Sequence, residues 1–189
     1  MSLPGGYEIA WQFAQALEAL GVEYFLGGSM ASSLQGPSRF TNDIDIVAHL
    51  RADQVDALVA RLGPDFDVDD VALKESIKAR RSWNVFHVPT ATRIDLFPVG
   101  STEFDVEELA RRQRREVGEG RALYVKSPED TVLRKLLWFQ RGGESNTQQF
   151  RDAVEVLRFQ GSALNGRYLD VWAEKVGVTA LLRRARESL

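Results

Sequence analysis

No cysteine occurs anywhere in this 189-residue chain, which removes disulfide bonds, zinc-thiolate centres and cysteine nucleophiles from consideration at once. Histidine is almost as scarce: His49 and His87 are the two present, neither has a second histidine at ligand spacing, and both read as ordinary packed or surface residues. No segment approaches the roughly 20 apolar residues that span a bilayer. Residues 1–6 lack the basic and apolar regions of a signal peptide, so a soluble protein of the cytoplasm, without a membrane partner, is the expectation. An excess of positive charge is missing too. Lysine and arginine number 24 against 27 acidic residues, a net charge of -3 that argues against a domain holding nucleic acid through bulk charge. Local clusters do occur, basic at Arg80-Arg81, Arg111-Arg112 with Arg114-Arg115, and Arg183-Arg184 with Arg186, and acidic at Asp65, Asp67, Asp69 and Asp70. Each reads first as a solvated helix face or loop.

What is present is an ordinary globular composition, 44% hydrophobic and 27% charged, long enough for one core or a core with a helical appendage. Ile9, Phe13, Leu17 and Leu20 recur at helical spacing from Tyr7 to Leu20, and Gly21 follows as a helix stop. The aromatic run Glu23 to Leu26 breaks into Gly27-Gly28-Ser29, a strand ending in a glycine turn, and Met30 to Leu34 begins a short helix. Asp43-Ile44-Asp45-Ile46-Val47 alternates as a strand with two unlike faces. Val55, Leu58, Val59 and Leu62 mark a helix, and Trp83 to Val88 and Arg93 to Phe97 mark two further strands. Beyond Gly100 a charged helical stretch, Glu103 to Arg112, and an extended piece, Ala122 to Lys126, lead into four helices. The first of these opens at Ser127-Pro128-Glu129-Asp130 with a serine cap, a proline and acids in the first turn. The next carries Phe150, Ala153, Val154 and Leu157, and the last two span about Tyr168 to Val176 and Thr179 to Glu187. The pattern predicts a mixed α/β core over residues 1–100 and a mainly helical region over 101–189 packed on it, together one structural unit.

Chemistry concentrates in the core. Asp43 and Asp45, two apart on a strand, project from one face about 6 to 7 Å apart, close enough to share a cation. Their mutual repulsion calls for compensating positive charge, which a Mg²⁺ ion held by one or two carboxylates and by substrate phosphates supplies. Arg93-Ile94-Asp95-Leu96-Phe97 repeats the alternation and offers Asp95 from another strand, and three carboxylates suit two metal ions about 3.5 to 4 Å apart. Upstream, the Gly27-Gly28-Ser29 turn at a helix start offers backbone N–H groups and a dipole to an anion, with Ser29 as a further donor. An Asp-x-Asp strand alone is more often a polar surface, and Gly-Gly-Ser is a common turn. Their order along the chain is what carries the argument. Arg39, in the polar loop ahead of the aspartates, is either a triphosphate contact or a surface arginine. Trp11, Trp83, Trp138 and Trp172 read as core, Trp138 being the candidate exception because it lies three residues after Lys135.

The run from Leu26 to Val47, LGGSMASSLQGPSRFTNDIDIV, resembles the first motif of the polymerase beta-like nucleotidyltransferase superfamily, Gly-Ser followed by Asp-x-Asp. The longer spacing, and Thr41 ahead of the aspartates, resemble the branch of AbiEii-type toxins and their minimal relatives. SPEDTVLRKL from Ser127 to Leu136 and QFRDAVEVL from Gln149 to Leu157 are similar to that branch's helical region. The likeness covers roughly residues 20 to 160. It implies an α+β nucleotidyltransferase fold, a short mixed sheet flanked by helices and followed by a helical region. It implies Asp43, Asp45 and Asp95 as catalytic ligands of Mg²⁺ or Mn²⁺, Gly27, Gly28, Ser29, Arg39, Thr41 and Asp152 at the nucleotide, and Lys135 as a catalytic cation. The implied reaction transfers a nucleoside monophosphate from NTP to a hydroxyl acceptor, an RNA, a protein or a small molecule, in a toxin-antitoxin or phage-defence setting with an antitoxin protein as partner. Two alternatives stand beside it: a non-catalytic nucleotide- or partner-binding module of the same fold, against which the intact aspartates count, and an aminoglycoside-type enzyme, for which the Asp65 to Asp70 run would supply an acidic acceptor pocket. On the catalytic reading Lys135 extends along an apolar stripe to a cleft, and its loss slows transfer without lowering the melting temperature.

Overall fold

The computed structural model describes residues 5–37, 41, 43–118 and 120–189. Its elements in chain order are α1 (Gly6–Glu18), β1 (Tyr24–Leu26), α2 (Gly28–Gln35), β2 (Asp43–Ala48), α3 (Val55–Leu62), β3 (Phe66–Asp67), α4 (Asp70–Lys78), β4 (Trp83–His87), β5 (Thr92–Pro98), α5 (Glu103–Ala110), β6 (Gln113–Gly118), β7 (Arg121–Val125), α6 (Pro128–Arg141), α7 (Thr147–Gln160), α8 (Gly166–Lys175) and α9 (Thr179–Glu187). They form two compact units. Met1–Met30 goes with Phe40–Val125, and Ala31–Arg39 goes with Lys126–Leu189, so the division falls inside α2 and again after β7. The change of texture read at residue 100 is a local one, because α5, β6 and β7 belong with the sheet. No described helix is long and apolar enough to cross a membrane.

The first unit is built on one mixed sheet in the order β3-β4-β5-β2-β1-β7-β6. β2 runs parallel to β5 and antiparallel to β1, and β7 lies parallel to β1. Alternation decides the faces. Ile44 and Ile46 of β2, Ile94 and Leu96 of β5, and Val85 of β4 are buried with Phe13 and Leu17 of α1 and Leu58 of α3, forming the core. His87 lies on that side, its Nδ1 2.7 Å from the Thr90 hydroxyl and its ring against Phe66, which is the packed role expected of it; His49 is exposed. The residues between them face the other way: Asp43, Asp45 and Val47 of β2, Arg93, Asp95 and Phe97 of β5, Asn84 and Phe86 of β4.

β3, α4 and β6 have no counterpart in the sequence reading. Two residues of β3 are too few to show alternation. The acidic run does local work at a helix start, since Asp69 accepts from the Ala72 N–H at 2.9 Å as the cap of α4 and Asp70 pairs with Lys74 at 3.2 Å. β6 is one of the two edge strands, and its charges, including the Arg114-Arg115 cluster, are what an open edge carries. Arg112 reaches Glu23 at 2.8 Å and covers the Tyr124 ring.

The second unit is helical. Val132, Leu133, Leu136 and Phe139 of α6 are buried with Ala153, Val156 and Leu157 of α7, Leu169 and Trp172 of α8, and Leu181 and Leu182 of α9. Ser127 caps α6, accepting from the Asp130 N–H at 3.1 Å, and Tyr168 donates to Asp130 at 2.7 Å. The Gln160 amide donates to the Gln35 carbonyl at 2.7 Å, tying the end of α2 to the end of α7. Arg184 and Arg186 pair with Glu144 and Asp170 at 2.8 and 2.6 Å, so that part of the C-terminal basic cluster is a salt-bridged surface. Trp138 is 52% exposed, under the Arg141 guanidinium, and is thus the one of the four tryptophans that leaves the core most fully.

Candidate active site

Parallel pairing of β2 with β5 sets Asp45 beside Asp95 and Asp43 beside Arg93. All four side chains therefore leave the same face of the sheet, with neighbouring strands about 4.8 Å apart. Arg93 draws two of the carboxylates together: its Nε lies 3.0 Å from Asp95 Oδ1, and its Nη2 lies 3.1 Å from Asp95 Oδ2 and 3.1 Å from Asp43 Oδ1. The side chain of Asp95 is the more enclosed, 16% exposed against 55% for Asp43. As they stand, no three histidine, aspartate or glutamate side chains among the described residues form a group that could hold a metal ion. The chemistry of the set still suits a divalent cation, because these carboxylates already converge on a cationic group, the guanidinium.

The glycine turn adjoins them. Gly27 donates its N–H to the Asp45 carbonyl at 2.8 Å, fixing the end of β1 against β2. Gly28 opens α2 with a φ of +55°, and a Cβ there would overlap the Asp45 carboxylate. Both facts demand glycine. Gly28→Ala is expected to force the Asp45 side chain out of place, lowering the melting temperature by the strain of a left-handed residue, about 1–2 kcal/mol, and suppressing any activity that needs Asp45. Unchanged melting and activity together would show that the contact has no consequence. Ser29 follows in the first turn of α2, and the Thr41 hydroxyl accepts from the Asp43 N–H at 3.4 Å, steadying the entry to β2. Arg39 lies outside the described residues.

Lys135 and Asp152 meet each other in the second unit. Lys135 Nζ donates to Asp152 Oδ2 at 2.6 Å with side chains 8% and 9% exposed, and Gln148 donates to the other Asp152 oxygen. The expectation of an ammonium extended to a cleft gives way to a buried ion pair, because Asp152 is within reach while Glu129 and Asp130 are taken up at the helix start, Glu129 accepting from the Asn165 N–H at 2.8 Å. Asp152 and Gln148 also line a cavity of about 490 Å³ bounded by Ser32, Ser33, Phe150 and Arg151.

Sequence reasoning passed over three residues of the carboxylate face, and for each a signal existed. Arg93 stands two residues before Asp95, which puts it on the same face. Antiparallel register sets Asn84 opposite Asp95 and Phe86 opposite Arg93, and a strand that alternates Trp83-Asn84-Val85-Phe86 presents them together.

Comparison with solved structures decides the fold. An antigenic nucleotidyltransferase-like protein from Paracoccidioides brasiliensis is 19% identical, with 94% of this chain and 89% of that one covered and a TM-score of 0.56. The fold is that of the nucleotidyltransferases. The antibiotic-resistance factor ANT(2'')-Ia matches the nucleotidyltransferase fold of this chain at 16% identity over 95% of this chain and 91% of its own, with a TM-score of 0.50. Its complex with adenylyl-2"-tobramycin matches at 16% identity, over 95% and 97% of the two chains, with a TM-score of 0.49. No protein-family model matches the sequence, nor does any curated protein.

Proposed function

We propose that this protein transfers a nucleoside monophosphate from an NTP to a hydroxyl acceptor, at the face that carries Asp43, Asp45 and Asp95. The observation that carries the reading is their convergence in register beside the Gly27-Gly28 turn and the start of α2. In the reaction the acceptor oxygen bonds to the α-phosphorus as the bridging oxygen to pyrophosphate leaves. Asp43, Asp45 and Asp95 are the residues that would hold Mg²⁺ or Mn²⁺, whose chemistry is to offset phosphate charge and make the acceptor hydroxyl more acidic. Gly28 allows the backbone near a phosphate, and Ser29 offers it a hydroxyl at the positive end of α2.

Among acceptors, a small hydroxylated molecule bearing cationic groups is supported by the outer strands. Asp67 of β3 stands in register with Phe86, and Asn84 with Asp95, giving that side of the face an acid, an amide and an aromatic ring. Membership of the AbiEii-type branch, with an antitoxin partner and RNA or protein as acceptor, rests on sequence likeness alone: the spacing of the first motif with Thr41 ahead of the aspartates, and residues 127–136 and 149–157. The test is incubation with each labelled NTP and Mg²⁺ against three acceptor pools: total RNA, cell protein, and a panel of aminated polyols. Label should appear in one pool together with released pyrophosphate. If no pool is labelled and no pyrophosphate forms with any NTP, the reading is wrong.

A further inference from the structure

The carboxylate face contains its own cation. Arg93 donates to both oxygens of Asp95 and to one of Asp43, so a single guanidinium, permanently charged, occupies three of the six carboxylate oxygens that Asp43, Asp45 and Asp95 would offer a divalent ion. The contact is on the open side of the sheet, where 43% of the Arg93 side chain is exposed. Such a side chain can move through solvent without leaving a hole in the core. Phe86, its partner across the strands, is 42% exposed.

We propose that Arg93 is the resident counter-ion of this site and passes to the triphosphate when the nucleotide arrives. Its guanidinium leaves Asp43 and Asp95, freeing their oxygens for a divalent cation, and takes phosphate oxygens in exchange. The inference rests on the nucleotidyltransferase reading and makes Arg93 a phosphate-binding residue in it. No covalent bond changes; two ion pairs are traded for others. The same forked geometry that grips a carboxylate grips a phosphate, so the arginine loses little in the trade. A metal arriving alone must evict Arg93 with nothing offered in return, whereas metal and nucleotide together supply the anion that receives it. Metal and nucleotide should therefore bind cooperatively, and reciprocally so, through Arg93.

The experiment measures Mn²⁺ binding by the full chain, by calorimetry and by electron paramagnetic resonance of free Mn²⁺, with and without a non-hydrolysable triphosphate analogue. Wild type, Arg93→Gln and Arg93→Lys are compared after melting curves confirm that each is folded. In wild type the analogue should tighten Mn²⁺ binding at least tenfold. Arg93→Gln should bind Mn²⁺ alone on the order of 3- to 10-fold more tightly than wild type, since exposed ion pairs oppose a competitor only modestly. It should also lose most of the tightening by the analogue. Arg93→Lys keeps the charge without the fork and should fall between the two. If Arg93→Gln and Arg93→Lys both match wild type in Mn²⁺ affinity and in coupling, Arg93 is a surface clamp and the proposal is overturned. If wild type binds no Mn²⁺ under either condition, the carboxylate-site reading itself fails, and the Arg93 proposal with it.

Discussion

Asp45→Asn should abolish nucleotidyl transfer while leaving the protein folded. The amide has the size and shape of the carboxylate it replaces, so it fits the same space against Gly28, and the backbone contact from Gly27 to residue 45 is untouched. The ion pairs of Arg93 run to Asp43 and Asp95, so they survive as well. On the proposed function, the substitution removes one of the three negative charges that would hold the metal ion at the triphosphate. Loss of a single preorganised electrostatic contact of this kind costs on the order of 10²–10³-fold in rate, and loss of a metal-holding carboxylate belongs at the upper end or beyond. The measurement is labelled-NTP transfer beside a thermal melt: turnover close to wild type in a folded Asp45→Asn protein would remove the carboxylates from the mechanism. Asp43→Asn removes one partner of Arg93 as well as a charge.

The second large effect is on stability. Lys135→Ala should destabilise the helical unit by about 3–5 kcal/mol, because it leaves the carboxylate of Asp152 buried without the ammonium 2.6 Å away. That is a large fraction of the roughly 5–15 kcal/mol that holds a domain folded, and a fall in melting temperature on the order of 10 °C should accompany it. Because the cost is mostly that of a buried carboxylate parted from its ammonium, Lys135→Met combined with Asp152→Leu should recover much of it, a non-additivity that a double-mutant cycle measures directly. A Lys135→Ala protein melting within about 2 °C of wild type would show that water or another group reaches Asp152.

Sequence reasoning reached the carboxylate face because its signals are local. Asp43 and Asp45 lie within one alternating strand, Asp95 within another, and the glycine turn directly precedes a helix. Pairing of those strands is not local: nothing in residues 43–48 or 92–98 says that they run side by side with Asp45 against Asp95. For that reason Arg93 looked like one more strand residue, although its place two before Asp95 already gave its face. The partner of Lys135 is hidden for a related cause. Its helix was legible from the Ser127 cap and the apolar stripe, but its partner sits 17 positions along on α7, and only the packing of α6 on α7 brings the two together. The acidic run carries a second local signal besides its charge, a helix cap at Asp69 directly ahead of α4. β3 has only two residues, and no periodicity can be read from two.

The parallel register of β2 and β5 carries a consequence for how this sequence can change. Ile94 and Leu96 are held inward by burial, and Asp95 looks outward only because it lies between them. Deleting a single codon from the strand would turn an isoleucine or leucine to the chemical face and drive a carboxylate into the core. Deletions in β5 should be lost from any selected library even where point substitutions at Phe97 survive. Length variation should instead collect in the connection between β5 and α5, where one residue more or less alters no face.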